Sequence, residues 1–158
     1  MAEISYAGRN VLVFGAAGAL GGGLAAAFAA AGAAVAGADR HLPSAAHRLD
    51  GVRYHEVNVL DDAALGSLFR GEPPPWAVIN TIGGYAPHAP LEALDPGELT
   101  AQLNLNLVSA ALVTKHALAA LRRTGEGRIV HTASRAARAY LFLASPEAHL
   151  VSGAAIPV

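Results

Sequence analysis

The sequence predicts an α/β domain built on a doubly wound parallel sheet. Three observations carry this: apolar runs of strand length alternate with helical periodicities along the chain, glycines and prolines punctuate nearly every junction, and 158 residues suit one buried core. No internal repeat and no flexible linker divides the chain, so a single domain spans residues 1–158.

The elements follow in order. Val11 to Phe14 is an apolar run of buried-strand type, and Gly15, Gly18 and Gly21 punctuate the turn after it. Leu20, Leu24 and Phe28 then repeat four apart with Ala27 and Ala31 beside them, a helix that Gly32 ends. Ala34 to Ala38 is placed as a strand by position, because Ala and Gly have poor strand propensity. Val52 to Val57 makes a third strand, and Asp61 and Asp62 cap a helix carrying Leu65, Leu68 and Phe69 that stops at Gly71 to Pro75. Trp76 opens the fourth strand as a packing residue, and Ala77 to Thr81 runs on into Gly83 and Gly84. Asp95, Pro96 and Glu98 start a long helix with a cap, a first-turn proline and a first-turn acid. Its apolar stripe is read as Leu99, Leu103, Leu107, Ala110, Thr114, Ala117 and Leu121, reaching Arg123. Gly125 and Gly127 precede a fifth strand, Arg128 to Thr132; Ala136 to Ala144 reads as a helix and Ala154 to Val158 as a last strand.

Composition narrows the function. A net charge of -1 creates no basic field for nucleic acid or an anionic membrane surface. Cysteine is absent, which removes disulfides and thiolate chemistry and fits a reducing compartment. The opening MAEISYAGRN lacks a basic segment leading into an apolar core, so a cytoplasmic protein is expected. No charge lies between Arg9 and Asp39, yet seven glycines interrupt that run, which argues against a membrane-spanning helix. The seven histidines lack metal-ligand spacing, so no metal is expected; His131, three before Ser134, reads as a strand histidine satisfied by a backbone neighbour, with a border of the substrate site as the alternative.

Strand, glycine turn, helix, strand and carboxylate, in that order, are the physical recipe for holding a dinucleotide. Glycines let the backbone approach a pyrophosphate, and the helix N-terminus offers free N–H groups and partial positive charge. Asp39 follows Gly21 by 18 residues, about where a carboxylate reaches the adenosine ribose. The plainer alternatives are a glycine turn in an alanine-rich stretch, and an Asp39 that caps the turn after it.

Several stretches together resemble the classical short-chain dehydrogenase/reductase family. Phe14 to Gly21, FGAAGALG, is similar to its TGxxxGxG turn, with Phe14 in place of the threonine and the middle glycine moved from the Ala19 position to Gly18. This form is nearest the dihydropteridine reductase-like branch. Val78 to Gly84, VINTIGG, resembles the NNAG strand end; Asn106-Leu107 resembles the asparagine of the long helix; and Gly127 to Ser134, GRIVHTAS, resembles the strand that delivers the serine. The resemblance implies a Rossmann fold in which Gly15, Gly18 and Gly21 face the pyrophosphate, Asp39 the ribose, Asn58 the adenine, and Asn80 with Gly83 the middle of the cofactor. Ala17, Ala19, Leu20, Arg40, Val59 and Thr81 complete the implied cofactor-binding set. A carboxylate at Asp39 accepts from both ribose hydroxyls and repels a 2'-phosphate, so NAD is expected; Arg40 keeps NADP as the alternative.

Half of the family's catalytic set is missing. Ser134 and Asn106 fill the serine and asparagine roles, but the residues four after Tyr6, Tyr54, Tyr85 and Tyr140 are Asn10, Asn58, Ala89 and Ala144, so the tyrosine-lysine pair YxxxK is absent. The single lysine, Lys115, lies in the long helix, well before Ser134. Tyrosine has a pKa of about 10, so working as a base near pH 7 without a cation costs about 4 kcal/mol. The sequence reads as a jump near residues 138–139 that omits the tyrosine-lysine helix and the substrate loop, leaving the fold incomplete in its C-terminal half: either a longer parent contains the segment, or this is a shortened module. The resemblance implies an NAD(P)-dependent oxidoreductase that passes hydride between nicotinamide and a small carbonyl or alcohol substrate, with this chain as written inactive. The alternative is a non-catalytic dinucleotide-binding or redox-sensing module. Pairing across the long helix into a dimer or tetramer is expected.

Overall fold

The computed structural model describes residues 4–84, 93 and 95–132. Ser134, Tyr85, Tyr140, the junction near 138–139 and the elements expected at 136–144 and 154–158 lie outside the described residues.

Five strands, β1 (Asn10–Phe14), β2 (Ala34–Asp39), β3 (Arg53–Glu56), β4 (Ala77–Asn80) and β5 (Arg128–His131), form one parallel sheet in the order β3-β2-β1-β4-β5. The chain winds outward from β1 to β3, returns to the other side of β1 and continues to β5. Val11 to Phe14 and Ala77 to Asn80 are buried throughout, as central parallel strands covered on both faces must be. Helix α1 (Ala19–Ala30) covers one face, where Val11, Val13 and Ile79 meet Leu24 and Phe28. On the other face Leu12, Phe14 and Val78 meet Leu65 and Phe69 of α2 (Asp62–Gly71) and Val113 and Ala117 of α4 (Ser109–Thr124).

The alanines and glycine of β2, weak strand formers, are there for space. A Cβ on Gly37 would lie 2.7 Å from Ala16 Cβ and 3.1 Å from the Tyr54 ring, so close packing replaces propensity at this strand. Helix α1 ends as expected: Gly32 adopts φ +90° and donates to Ala29 O at 3.0 Å, while Ala33 donates to Phe28 O. Within α1, Gly23 is exposed and a Cβ there meets nothing. Gly23→Ala is expected to raise stability by about 0.5–1 kcal/mol, read as a higher urea midpoint at unchanged slope; an unchanged or lower midpoint contradicts this.

Asp61 caps α2 by accepting from Ala63 N and Ala64 N at 3.1 and 3.0 Å. Its neighbour Asp62 ties α2 to α4, accepting from Lys115 Nζ at 2.7 Å and His116 Nε2 at 2.8 Å, and these hydrogen bonds hold its carboxyl below the usual range. The His116 ring stacks on Phe69. Just past α2, the largely buried Glu72 takes the Arg53 guanidinium at 2.8 and 3.2 Å, and His55 Nε2 lies 2.9 Å from its other oxygen. Burial pushes the Glu72 carboxyl up, but the Arg53 bonds and charge and the His55 charge outweigh it and leave the pKa below its ordinary 4.5. A lowered native pKa makes this contribution complete above about pH 4.5 and drains it as pH falls through the native value. Glu72→Gln is therefore expected to be less stable than the parent at neutral pH, with the gap closing in acid; urea melts of both at the two pH values check this, and a constant gap contradicts it.

The long helix differs from expectation. Asp95 caps it as predicted, accepting from Glu98 N at 3.0 Å, and α3 runs Pro96–Leu103. A wide π turn at Asn104–Val108 then interrupts it before α4. The stripe read from the sequence holds only in part: Ala117 is buried and Ala110, Thr114 and Leu121 are half-buried, whereas its members before and within the turn are not buried. Leu99, Leu103 and Leu107 are exposed, and the buried residues of α4 are Ser109, Val113, Ala117 and Ala120. Trp76 packs as expected, edge-on to Tyr6 with Arg9 over its ring at 4.7 Å. Among the described residues no helix is long and apolar enough to cross a membrane.

Candidate functional site

Beyond the C-terminal ends of β1, β2 and β4, where the winding reverses, lies a cleft of about 380 Å³. In open parallel sheets this reversal point is where ligands bind. Its walls are the glycine turn, the residues after β2 and β3, the β4 turn and the π turn.

The glycine turn is shaped by the fold itself. Gly15 sits at φ +80°, donates to Ala38 O at 2.9 Å, and presses against Thr81, where a Cβ would strike the hydroxyl. A Cβ on Gly21 would strike the Gly15 carbonyl. Gly18 is different: it is the α1 N-cap in extended conformation, with no side-chain cap on the helix, and a Cβ there would have only Gly15 O nearby, at 3.3 Å. The first N–H groups of α1 thus face the cleft without an acidic side chain in the first turn.

Asp39, at the end of β2, reaches this turn directly. One carboxylate oxygen accepts from Ala17 N at 2.9 Å and the other from His41 N at 3.4 Å, so the residue faces the turn and also supports the segment after it. Asn58 shapes the next wall by accepting from Leu60 N at 3.1 Å. Thr81 joins the fourth wall to the first, donating to Phe14 O at 2.8 Å through its hydroxyl and at 3.1 Å through its N–H.

Of the predicted residues, Gly15, Gly18, Ala19, Leu20, Gly21, Asp39, Arg40, Asn58, Val59, Thr81 and Gly83 line the cleft together. Ala17 joins them through Asp39. Asn80 does not line it: it is buried beneath, accepting from Ile82 N at 3.1 Å and facing His131 Nδ1 at 3.1 Å. Nor does Asn106, which clasps the backbone of Gly84, accepting from its N–H at 2.9 Å and donating to its carbonyl at 3.0 Å. His131 is satisfied, but by side chains from β4 and α4 and not by a backbone neighbour. Sequence reasoning missed Val57, Leu60, Ile82, Asn104, Leu105 and Ser109 as lining residues. Asn104 had a signal, as the first asparagine of LNLNL; the π turn that brings it and Ser109 to the cleft had none.

A comparison with curated protein sequences finds no significant match. A solved structure described as a short-chain dehydrogenase/reductase, from Burkholderia xenovorans, is similar at 30% identity and a TM-score of 0.73, over 79% of this chain and 53% of its own. Another, from Mycobacterium ulcerans, is similar at 23% identity and a TM-score of 0.72, over 81% of this chain and 52% of its own. A short-chain dehydrogenase from Leptospira borgpetersenii with bound NAD+ is similar in fold, at 19% identity and a TM-score of 0.72, over 80% of this chain and 52% of its own. The chain spans about half the length of these proteins. The family model for short chain dehydrogenases matches residues 9–146, across the sheet, the glycine turn and the β4 turn alike, and the chain belongs to that family.

Proposed function

We propose that the cleft binds a nicotinamide dinucleotide, NAD in preference to NADP. The observation that carries this is the Asp39 carboxylate held against Ala17 N–H at the mouth of a glycine turn. A Cβ-free cradle at Gly18 and the unpaired N–H groups of α1 suit a pyrophosphate. Asp39 is positioned to accept from ribose hydroxyls, and its charge opposes a 2'-phosphate more than Arg40 beside it attracts one. Asn58 and Val59 form the adenine side; Thr81 and Gly83 form the side toward the nicotinamide. The bound cofactor supplies hydride transfer. The solved Leptospira relative, which holds NAD+, supports the same use.

Family membership supports a carbonyl or alcohol as the second substrate, with Ser134 at its oxygen and Asn106 in the proton path. The sequence has no YxxxK, and this observation favours binding without efficient turnover for the chain in hand. Exposed Leu99, Leu103 and Leu107 support self-association along α3 and the π turn, and a cysteine-free sequence fits a cytoplasmic setting. Titration with NADH and NADPH, followed by a turnover assay over a panel of carbonyls, tests the whole reading: NADH binding with negligible turnover is expected. Rapid turnover contradicts the catalytic part, and failure to bind either nucleotide contradicts the rest.

A further inference from the structure

His131, at the end of β5, sits in a chain of hydrogen bonds whose directions follow from their end groups. Ile82 N–H donates to Asn80 Oδ1, so Asn80 presents its NH2 group to His131 Nδ1, 3.1 Å away. Thr114 donates its hydroxyl hydrogen to Ala110 O at 2.8 Å, so it can only accept from His131 Nε2, also at 2.8 Å. His131 Nδ1 is therefore an acceptor and Nε2 a donor, which is the neutral ring with one defined tautomer. The relay ends on Ile82, a wall of the cleft.

We propose that His131 is a positioning residue: neutral, it fixes Asn80 and through it the turn Thr81–Gly83, and protonation releases that turn and weakens dinucleotide binding in acid. A proton on Nδ1 would face the Asn80 NH2 group, donor against donor. Turning the carboxamide over to repair this places its NH2 group against Ile82 N–H and breaks that bond instead. No arrangement of the three groups satisfies the charged ring.

The surroundings leave the charge uncompensated among the described residues. From β4 the facing group is the neutral Asn80, and from α4 the neutral Thr114; Lys115 and His116, next along α4, are both held by Asp62. On β5 itself the nearest charged side chain is Arg128, at the other end against Trp76. His131 keeps an exposed edge, and partial burial of the ring pushes it below its ordinary 6.5, with no charged partner contributing. The sign follows: the relay is complete above about pH 6.5 and is lost as pH falls through the lowered value.

The effect on binding rests on the dinucleotide reading of the cleft; the effect on the turn does not, and the test separates them. In ligand-free protein, imidazole nitrogen shifts are expected to show Nε2 protonated and Nδ1 bare, and the protection factor of the Ile82 amide is expected to fall about tenfold between roughly pH 7.5 and pH 5. His131→Asn, whose Oδ1 takes the place of Nδ1 without titrating, is expected to hold that protection within about twofold over the same range. NADH affinity is expected to fall in parallel for the parent and stay level for His131→Asn. The opposite tautomer, or Ile82 protection equally dependent on pH in both proteins, overturns the proposal even if the variant folds poorly, since the tautomer is read in the parent. A pH-dependent Ile82 in a protein that binds no NADH at any pH upholds the relay and overturns the dinucleotide reading.

Discussion

Gly21→Ala is expected to be one of the two most damaging single substitutions in the glycine turn. Its Cβ would strike the Gly15 carbonyl, a backbone atom that is itself held by the Gly18 N–H at 3.0 Å. Neither side can move without displacing α1 from β1, and overpacking of this kind costs about 2–3 kcal/mol. Gly15→Ala adds a left-handed backbone, φ +80°, to a clash with Thr81 and is expected to cost at least as much. Gly18→Ala separates fold from function: its conformation suits any residue, so the weaker N-cap and the 3.3 Å approach to Gly15 O are expected to lower stability by about 1 kcal/mol or less while NADH binding is lost. Urea unfolding and NADH titration of the three variants check this; a Gly18→Ala protein that binds as the parent does would remove the pyrophosphate from that position.

Asp39→Ala is expected to weaken NADH binding about 10- to 100-fold, the range for losing a charged acceptor worth about 1.5–3 kcal/mol. The same change removes the charge that opposes a 2'-phosphate and leaves Arg40 to attract one, so NADPH is expected to bind the variant as well as or better than the parent. Part of the NADH loss will come from the turn, because Ala17 N–H loses its acceptor as well. Asp39→Asn keeps an acceptor for that N–H, so comparing the two variants by fluorescence titration separates support of the turn from contact with the ribose.

The first half of the chain is legible in the sequence because its signals are local. Val11 to Phe14, the glycines after it and the Asp61 cap act within a few residues of themselves, and the observed elements follow them. Even β2, with little strand propensity, is recoverable from its place between α1 and Asp39. The long helix is not, because the π turn at Asn104–Val108 goes with a tertiary contact, the clasp of Asn106 on the Gly84 backbone. A periodicity drawn through that point includes the buried Ala117, yet it also marks the exposed Leu107 as buried and passes over Val113. The same limit governs the site. Residues carried by the glycine turn are named correctly by their spacing, whereas Ile82, Asn104 and Ser109 reach the cleft only through folding, and the partners of His131 lie 51 and 17 residues away in sequence.

This chain is expected to hold NAD through the glycine turn and Asp39 while lacking the tyrosine-lysine pair of its family. Isothermal titration of the 158-residue protein with NADH and NADPH at neutral pH decides the matter. The expected result is one NADH per chain, bound at least about tenfold more tightly than NADPH. No binding of either nucleotide, or tighter binding of NADPH, would contradict it.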